Sequence, residues 1–306
     1  MGTSCRGVAH RQFRWVPVVP AYSDPVLAVV SAATTSSAGT AAGATLPALT
    51  SAAATSLLPV DRTLGVVLAV LLVVATGVAA YAHLADEREN YARGIAVAGL
   101  RAALQLAVVS LLIGWVVRYL PALLAFVGVM YAVAVWTAGR RITDDRSWRW
   151  AAVPIGVSAL PVVALLVLTG LVPLDGIALI PVAGILIGGA LTATVLGGRR
   201  ALEELHSRNG EVEAAMALGF EDRDARLEIA RPAASGALVP GLDQTRTVGL
   251  VTLPGAFVGM LLGGASPVMA GAVQLFVLVA LLVVQAVAVS SVLELVARGR
   301  LTRRVE

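Results

Sequence analysis

From about residue 63 onward, apolar runs alternate with short polar segments, and the pattern holds to the end of the chain. An α-helix needs roughly 20 consecutive apolar residues to cross a bilayer core of about 30 Å. Runs of that length stand at 63–84, 95–117, 120–139, 150–171, 177–197, 238–262 and 268–296. They predict an all-α, polytopic membrane fold of about seven transmembrane helices, because over such lengths only a helix satisfies its own backbone in lipid. The sixth run is the least regular, and Pro240, Gly241 and Pro254 are expected to break or kink it. The seventh is long enough to tilt or to extend beyond the membrane.

Residues 1–56 follow a different pattern. A weakly apolar stretch interrupted by Pro17, Pro20, Asp24 and Pro25 precedes a run rich in Ala, Ser, Thr and Gly. The prolines and Asp24 disfavour a signal peptide, and the composition predicts a disordered tail or a start placed too far upstream. Residues 57–306 are then the membrane domain, with one long polar segment at 199–237.

Composition sharpens this division. The chain is 58% hydrophobic and only 14% charged, with a mean hydropathy of +0.85, too apolar for solvation on all sides. A single cysteine, Cys5, excludes a disulfide framework and cysteine-based metal sites. The net charge of +4 and pI near 9.8 would suit nucleic acid. All 23 basic residues are arginines, however, and they cluster between the apolar runs, which points to the lipid bilayer as partner and to no nucleic acid. Arg88 and Arg93 follow the first run, and Arg140, Arg141, Arg146 and Arg149 follow the third. Six arginines from Arg199 to Arg231 follow the fifth, and Arg298, Arg300, Arg303 and Arg304 end the chain. The alternate loops hold little more than Arg118 and Asp175. The asymmetry predicts a multi-pass protein of the inner (plasma) membrane with its C-terminus cytoplasmic and its N-terminus outside.

Within the long polar segment, Val212, Ala215, Met216 and Gly219 are spaced three or four apart, which predicts a short helix with a small apolar face. Gly219 suits a left-handed helix end. Charged residues from Glu221 to Arg226 follow, and Pro232 is expected to break the chain's return to the membrane. Helix physics alone leaves two uses open: insertion into a groove on a soluble partner, or lying flat on anionic lipid.

The pattern Glu213-Ala214-Ala215, then Gly219, then Ile229 and Pro232 resembles the coupling-loop motif of ABC-transporter permeases, with Arg231 where that motif usually has Leu. The stretch 240–255, Gly263 to Pro267 ahead of Gln274, Gly99 to Leu106 and Ile180 to Gly184 resemble the FetB-like permeases in particular. That family is associated with iron export and related to plant aluminium-tolerance permeases. The likeness runs from about Leu57 to the C-terminus. It implies a permease homodimer without its own ATPase activity, driven by a separate cytoplasmic ATP-binding subunit that receives the helix around Glu213–Gly219 and drives export of a metal ion such as iron. No P-loop occurs in the chain, and no cofactor is expected.

Candidate pathway or gate residues are Asp243, Arg246, Gln105, Pro254 and Gln274. Asp243 and Arg246 are i, i+3 at the start of the sixth run, where either a gate or a surface ion pair fits. Arg101 is expected to reach the interface. Gln105, Gln274 and Gln285 fit either substrate coordination or interhelical hydrogen bonds, and Gly184-x-x-x-Gly188 and Gly255-x-x-x-Gly259 fit close helix packing. His10, His83 and His206 are the only histidines and none lies mid-run. The metal-binding residues are therefore unknown from sequence, and the substrate rests on resemblance. An intramembrane hydrolase lacks a nucleophile paired with a base. A membrane scaffold or receptor without transport activity is the remaining alternative.

Overall fold

The computed structural model describes residues 62–83, 85–86, 89–172 and 176–303. The expectation for residues 1–56 lies outside the described residues. Apart from a two-residue antiparallel ladder, β1 (Ala85–Asp86) with β2 (Glu89–Asn90), the described chain is helical.

The helices are α1 (Arg62–Tyr81), α2 (Tyr91–Val116), α3 (Leu120–Ile142), α4 (Ala152–Leu168), α5 (Gly176–Ser207), α6 (Asn209–Ala217), α7 (Asp222–Ser235), α8 (Val239–Thr247), α9 (Gly255–Leu262) and α10 (Pro267–Ala297). Counting the 3-10 turn Arg146–Ala151 that leads into α4, six helical segments among the described residues are long and apolar enough to cross a membrane. They follow the first five predicted runs and the seventh.

The sixth run departs from a single span. It forms two short helices, α8 and α9, separated by residues 248–254. The flanking prolines do not make the break. Pro240 occupies the first turn of α8, where its missing N–H costs nothing, and Pro254 is the N-cap of α9. The turn forms at Gly249, with φ of +82°, whose N–H donates to the Thr252 carbonyl.

Two apolar clusters hold the bundle. Leu123, Ile155, Leu186 and Val284 centre the first, which joins α3, α4, α5 and α10. The second lies toward the arginine-rich end and is dominated by alanine: Ala201, Ala230, Ala234, Ala237, Ala288 and Ala297 pack with Ile142, Val292 and Leu301. Small side chains let helix backbones approach closely, the commonest way helices associate in lipid. At the α5–α10 crossing a Cβ on Gly189 would overlap the end of the Leu281 side chain, which would have to move to admit it. Gly255 and Gly259 have nothing where a Cβ would sit, as does Gly188, whereas Gly184 faces Met130. The two glycine pairs therefore do not both pack within the chain.

Candidate functional site

The fifth predicted run stops at residue 197, but α5 continues to Ser207. The extension is held on its polar side by Arg199 to Glu203 at 3.7 Å and by Arg208 to Glu204 at 3.0 Å, each an i, i+4 pair. At 32 residues, α5 rises about 48 Å, well beyond a bilayer core of ~30 Å. It acts as one continuous rod from the bundle to the short helix α6.

α6 begins where the Arg208 guanidinium bridges Glu204 and Glu211. That arrangement raises the Arg208 pKa and holds the Glu211 carboxyl below its ordinary value, chiefly through the hydrogen bond between the two. Asn209 donates to Glu213 at 2.7 Å across the next turn. Val212 is buried, whereas Met216, Leu218 and Phe220 are exposed. The helix ends in a Schellman motif. Gly219 has φ of +98°, its N–H donates to Met216 O at 2.9 Å, and the Phe220 N–H donates to Ala215 O at 3.2 Å. The left-handed helix end expected at Gly219 is present, and it leaves an apolar tip, Leu218 and Phe220, on a polar segment.

α7 corrects one expectation. Pro232 lies inside this helix and does not end it; α7 continues to Ser235. Asp222 and Asp224 favour its N-terminus, while Leu227, Ala230 and Ala234, at i, i+3 and i+7, bury one face in the second apolar cluster. Packing on that face carries the helix past the proline. Ile229 is half-buried, and Glu213, Ala214 and Pro232 are exposed, with Ala215 partly covered. Arg231, the departure from the motif, is exposed and only 3.9 Å from Glu228. A charge is tolerated there because that face meets solvent.

A bridge that no sequence pattern signals ties α7 to α10. The Arg223 guanidinium donates from Nε and Nη2 to the two Glu294 carboxylate oxygens, both at 2.8 Å, and Arg298 donates to the same carboxylate at 2.5 Å. The hydrogen bond to Glu294 is also the chief reason the Arg223 pKa is raised. α6 and α7 are thus fixed to both long helices, to α5 through the chain and to α10 through this bidentate pair.

The pathway candidates are less gathered. Asp243 and Arg246 pair on α8 at 3.6 Å with both side chains more than half exposed, and Pro254 caps α9 beyond the break. Gln105 is exposed on α2, a helix that packs chiefly on α1. Gln274 and Gln285 are buried in α10, and their Oε1 atoms have no hydrogen-bond partner among the described residues. Thr194 Oγ1 on α5 is in the same position, and the sequence had no signal for it. Gly241 brings α8 against Gln285 so closely that a Cβ would overlap its amide. No group of three His, Cys, Asp or Glu residues suited to a metal occurs among the described residues.

A family model described as "Uncharacterised protein family (UPF0014)" matches residues 63–300. The rice "UPF0014 membrane protein STAR2" is 38% identical over 197 residues, covering 63% of this chain and 68% of the relative. The Arabidopsis "Protein ALUMINUM SENSITIVE 3" is 37% identical over 183 residues, 58% and 63% of the two chains. The Escherichia coli "Probable iron export permease protein FetB" is 28% identical over 180 residues, 58% and 70% of the two chains. The match thus spans about two thirds of each relative's length. No solved structure matches the chain.

Proposed function

The chain belongs to the UPF0014 family, and on that premise we propose that it is the membrane-spanning permease half of an ABC transporter driven by a separate ATP-binding subunit. The observation that carries this reading is α6, a short helix closed by Gly219 and joined stiffly to both long helices of the bundle. Its apolar tip, Leu218 and Phe220, suits a groove on a soluble partner. Glu213, Ala214, Ala215, Gly219, Ile229 and Pro232 are the coupling residues, and closure of the partner on ATP moves α6 as a lever. The arginine clusters support an orientation with this end and the C-terminus in the cytoplasm and the N-terminus outside the inner membrane. ATP is hydrolysed by the partner, not by this chain.

Two copies are expected, and the broken segment supports a location for the second. α9 spans eight residues, a rise of about 12 Å, so with the turn at its far end at the membrane surface residues 248–254 would fall at the depth of the apolar core. Irregular backbone at that depth is tolerated where protein or a water-filled cavity covers it. Leu250 and Val251 are exposed there, beside the open face of Gly255 and Gly259. Asp243, Arg246 and Pro254 flank this surface as pathway or gate residues, with Gln274 behind it on α10 and Gln105 more peripheral. The cargo is a metal ion such as iron, by likeness to the relative named as an iron export permease. The buried amide oxygens of Gln274 and Gln285 are hard donors of the kind a transient cation site uses.

The test is reconstitution of the chain with its ATP-binding subunit in vesicles, with Fe²⁺ as cargo and Mn²⁺ and Zn²⁺ for comparison. Gly219→Leu places a side chain in the left-handed region, at a local cost of about 1–2 kcal/mol. It is expected to leave ATP hydrolysis running while transport falls. Unchanged coupling in this variant sinks the lever, and equal failure of all three metals in the wild type sinks the cargo.

A further inference from the structure

Away from the α6 tip, the arginine-rich end contains a recess of about 580 Å³. It is bounded by the start of α2, the end of α3, the α5 rod and the C-terminal tail, and lined by Arg140, Arg141, Arg199 and Arg303. Asp144 is the lining carboxylate, and its floor is apolar, with Ile142 and Val195 both buried. The arginines come from three separate elements. Arg303 reaches the recess because Leu301 is fully buried in the second apolar cluster and Ser147 Oγ donates to the Thr302 carbonyl at 3.1 Å.

The ion pairing available inside the chain is weak. Arg199 and Arg303 share Glu203 at 3.7 and 3.9 Å, beyond hydrogen-bond length. Arg140 donates to the Asp144 carbonyl at 3.3 Å and lies over the Trp148 ring. The Arg141 side chain has no ion pair or hydrogen bond among the described residues. Four guanidinium groups against Asp144 and Glu203 leave an excess of two positive charges around the recess. Arginine predominates at this end of the molecule generally, but these four converge on one recess from different elements, which orientation in a membrane does not require.

We propose that this recess binds the phosphate group of an anionic ligand, with the guanidinium forks of Arg141 and Arg303 as its principal contacts. The chemistry fits either an anionic phospholipid headgroup or a soluble phosphate ester. Arginine matches tetrahedral phosphate oxygens with paired N–H donors. Basic pockets between membrane helices hold phospholipid headgroups by the same means, and the apolar floor suits the glycerol and first methylenes of a lipid.

The experiment uses the full chain purified in neutral phosphatidylcholine, with phosphatidylglycerol added to one arm and sn-glycerol 3-phosphate to the other. Retained lipid is counted by native mass spectrometry, and the soluble ester is followed by thermal shift. The wild type is expected to retain phosphatidylglycerol, and the double variant Arg141→Gln/Arg303→Gln to bind it about tenfold or more weakly. Arg226→Gln/Arg231→Gln, at the same end but outside the recess, is expected to stay within about twofold. Melting temperatures in phosphatidylcholine alone check that each variant is folded, and Arg141→Lys/Arg303→Lys, which keeps the charge and loses the fork, is expected to fall between. A shift with the soluble ester and no retained lipid assigns the site to free phosphate compounds. Binding of neither probe, or equal loss in both glutamine pairs, overturns the proposal.

Discussion

Half of the most apolar window of α10 is buried within the chain, whereas none of the corresponding window of α2 is, although both are strongly apolar. α5 resembles α10, with 44% of its window buried, and α1 resembles α2, with 6%. Hydropathy therefore reports only that each helix belongs in lipid. What separates the two groups is how many other helices each packs against: α10 meets α4, α5, α7 and α9, whereas α1 and α2 meet chiefly each other. α5 and α10 meet over Gly189, Gly197 and Gly198 and a run of alanines, so their backbones come close. α1 and α2 form a hairpin that presents Leu and Val outward, as lipid-facing helices do. The central helices are also the ones joined to α6 and α7, so the most buried part of the bundle is the part that would transmit motion.

The largest effect should come from cutting the same side chain in each group. Leu186 on α5 is 1% exposed and sits in the first apolar cluster, and Leu104 on α2 is 66% exposed. Leu186→Ala is expected to destabilise by about 2–5 kcal/mol, the range for a buried leucine whose cavity does not collapse. Leu104→Ala should change stability by less than about 0.5 kcal/mol. Thermal unfolding in one detergent measures both, and similar losses would erase the distinction between the groups.

A smaller effect in stability, but a more pointed one for function, is expected at the α7–α10 bridge. Both side chains are partly exposed, at 43% for Arg223 and 31% for Glu294, so Glu294→Gln should cost no more than about 1 kcal/mol. If α7 passes motion to α10 through this pair, the variant lowers transport per ATP hydrolysed while the melting temperature moves little. Loss of stability and transport in proportion would make the bridge merely structural.

The sequence and the structure part company where local chemistry outweighs hydropathy. The long runs and the end of α6 at Gly219 were legible, because each rests on a few residues close in the chain. The continuation of α5 to Ser207 was not. Past residue 197 Ala201, Leu202 and Leu205 pack one face of the helix on the second apolar cluster while Arg–Glu pairs line the other, an amphipathic pattern that a continuous apolar run does not register. Pro240, Gly241 and Pro254 marked the sixth run as irregular, yet the break falls between them, since both prolines occupy positions that begin a helix. Pro232 misled in the opposite direction, because burial of Leu227, Ala230 and Ala234 holds α7 together around it. The Glu294 carboxylate meets an arginine 71 residues away, a pairing only the fold creates.

The smallest effect concerns pH and again sets the two regions apart. Arg208 holds the Glu211 carboxyl below its ordinary value at the start of α6. A depressed carboxylate contributes stability above its unfolded pKa, near about 4.3 for glutamate, and loses it as pH falls through the lower folded value. Acidification below roughly pH 4 should therefore loosen the start of α6 while the α5–α10 core stays closed. The pair is at the surface, so the change is slight. Hydrogen exchange, corrected for its intrinsic pH dependence, is expected to show protection at Val212 to Ala215 falling with acid, with no change across Val277 to Val292. Glu211→Gln should lack the acid-dependent component, because its side chain has no proton to take up. A wild-type α6 whose protection held steady through the glutamate range would mean that Arg208 is not what fastens this helix to the end of α5.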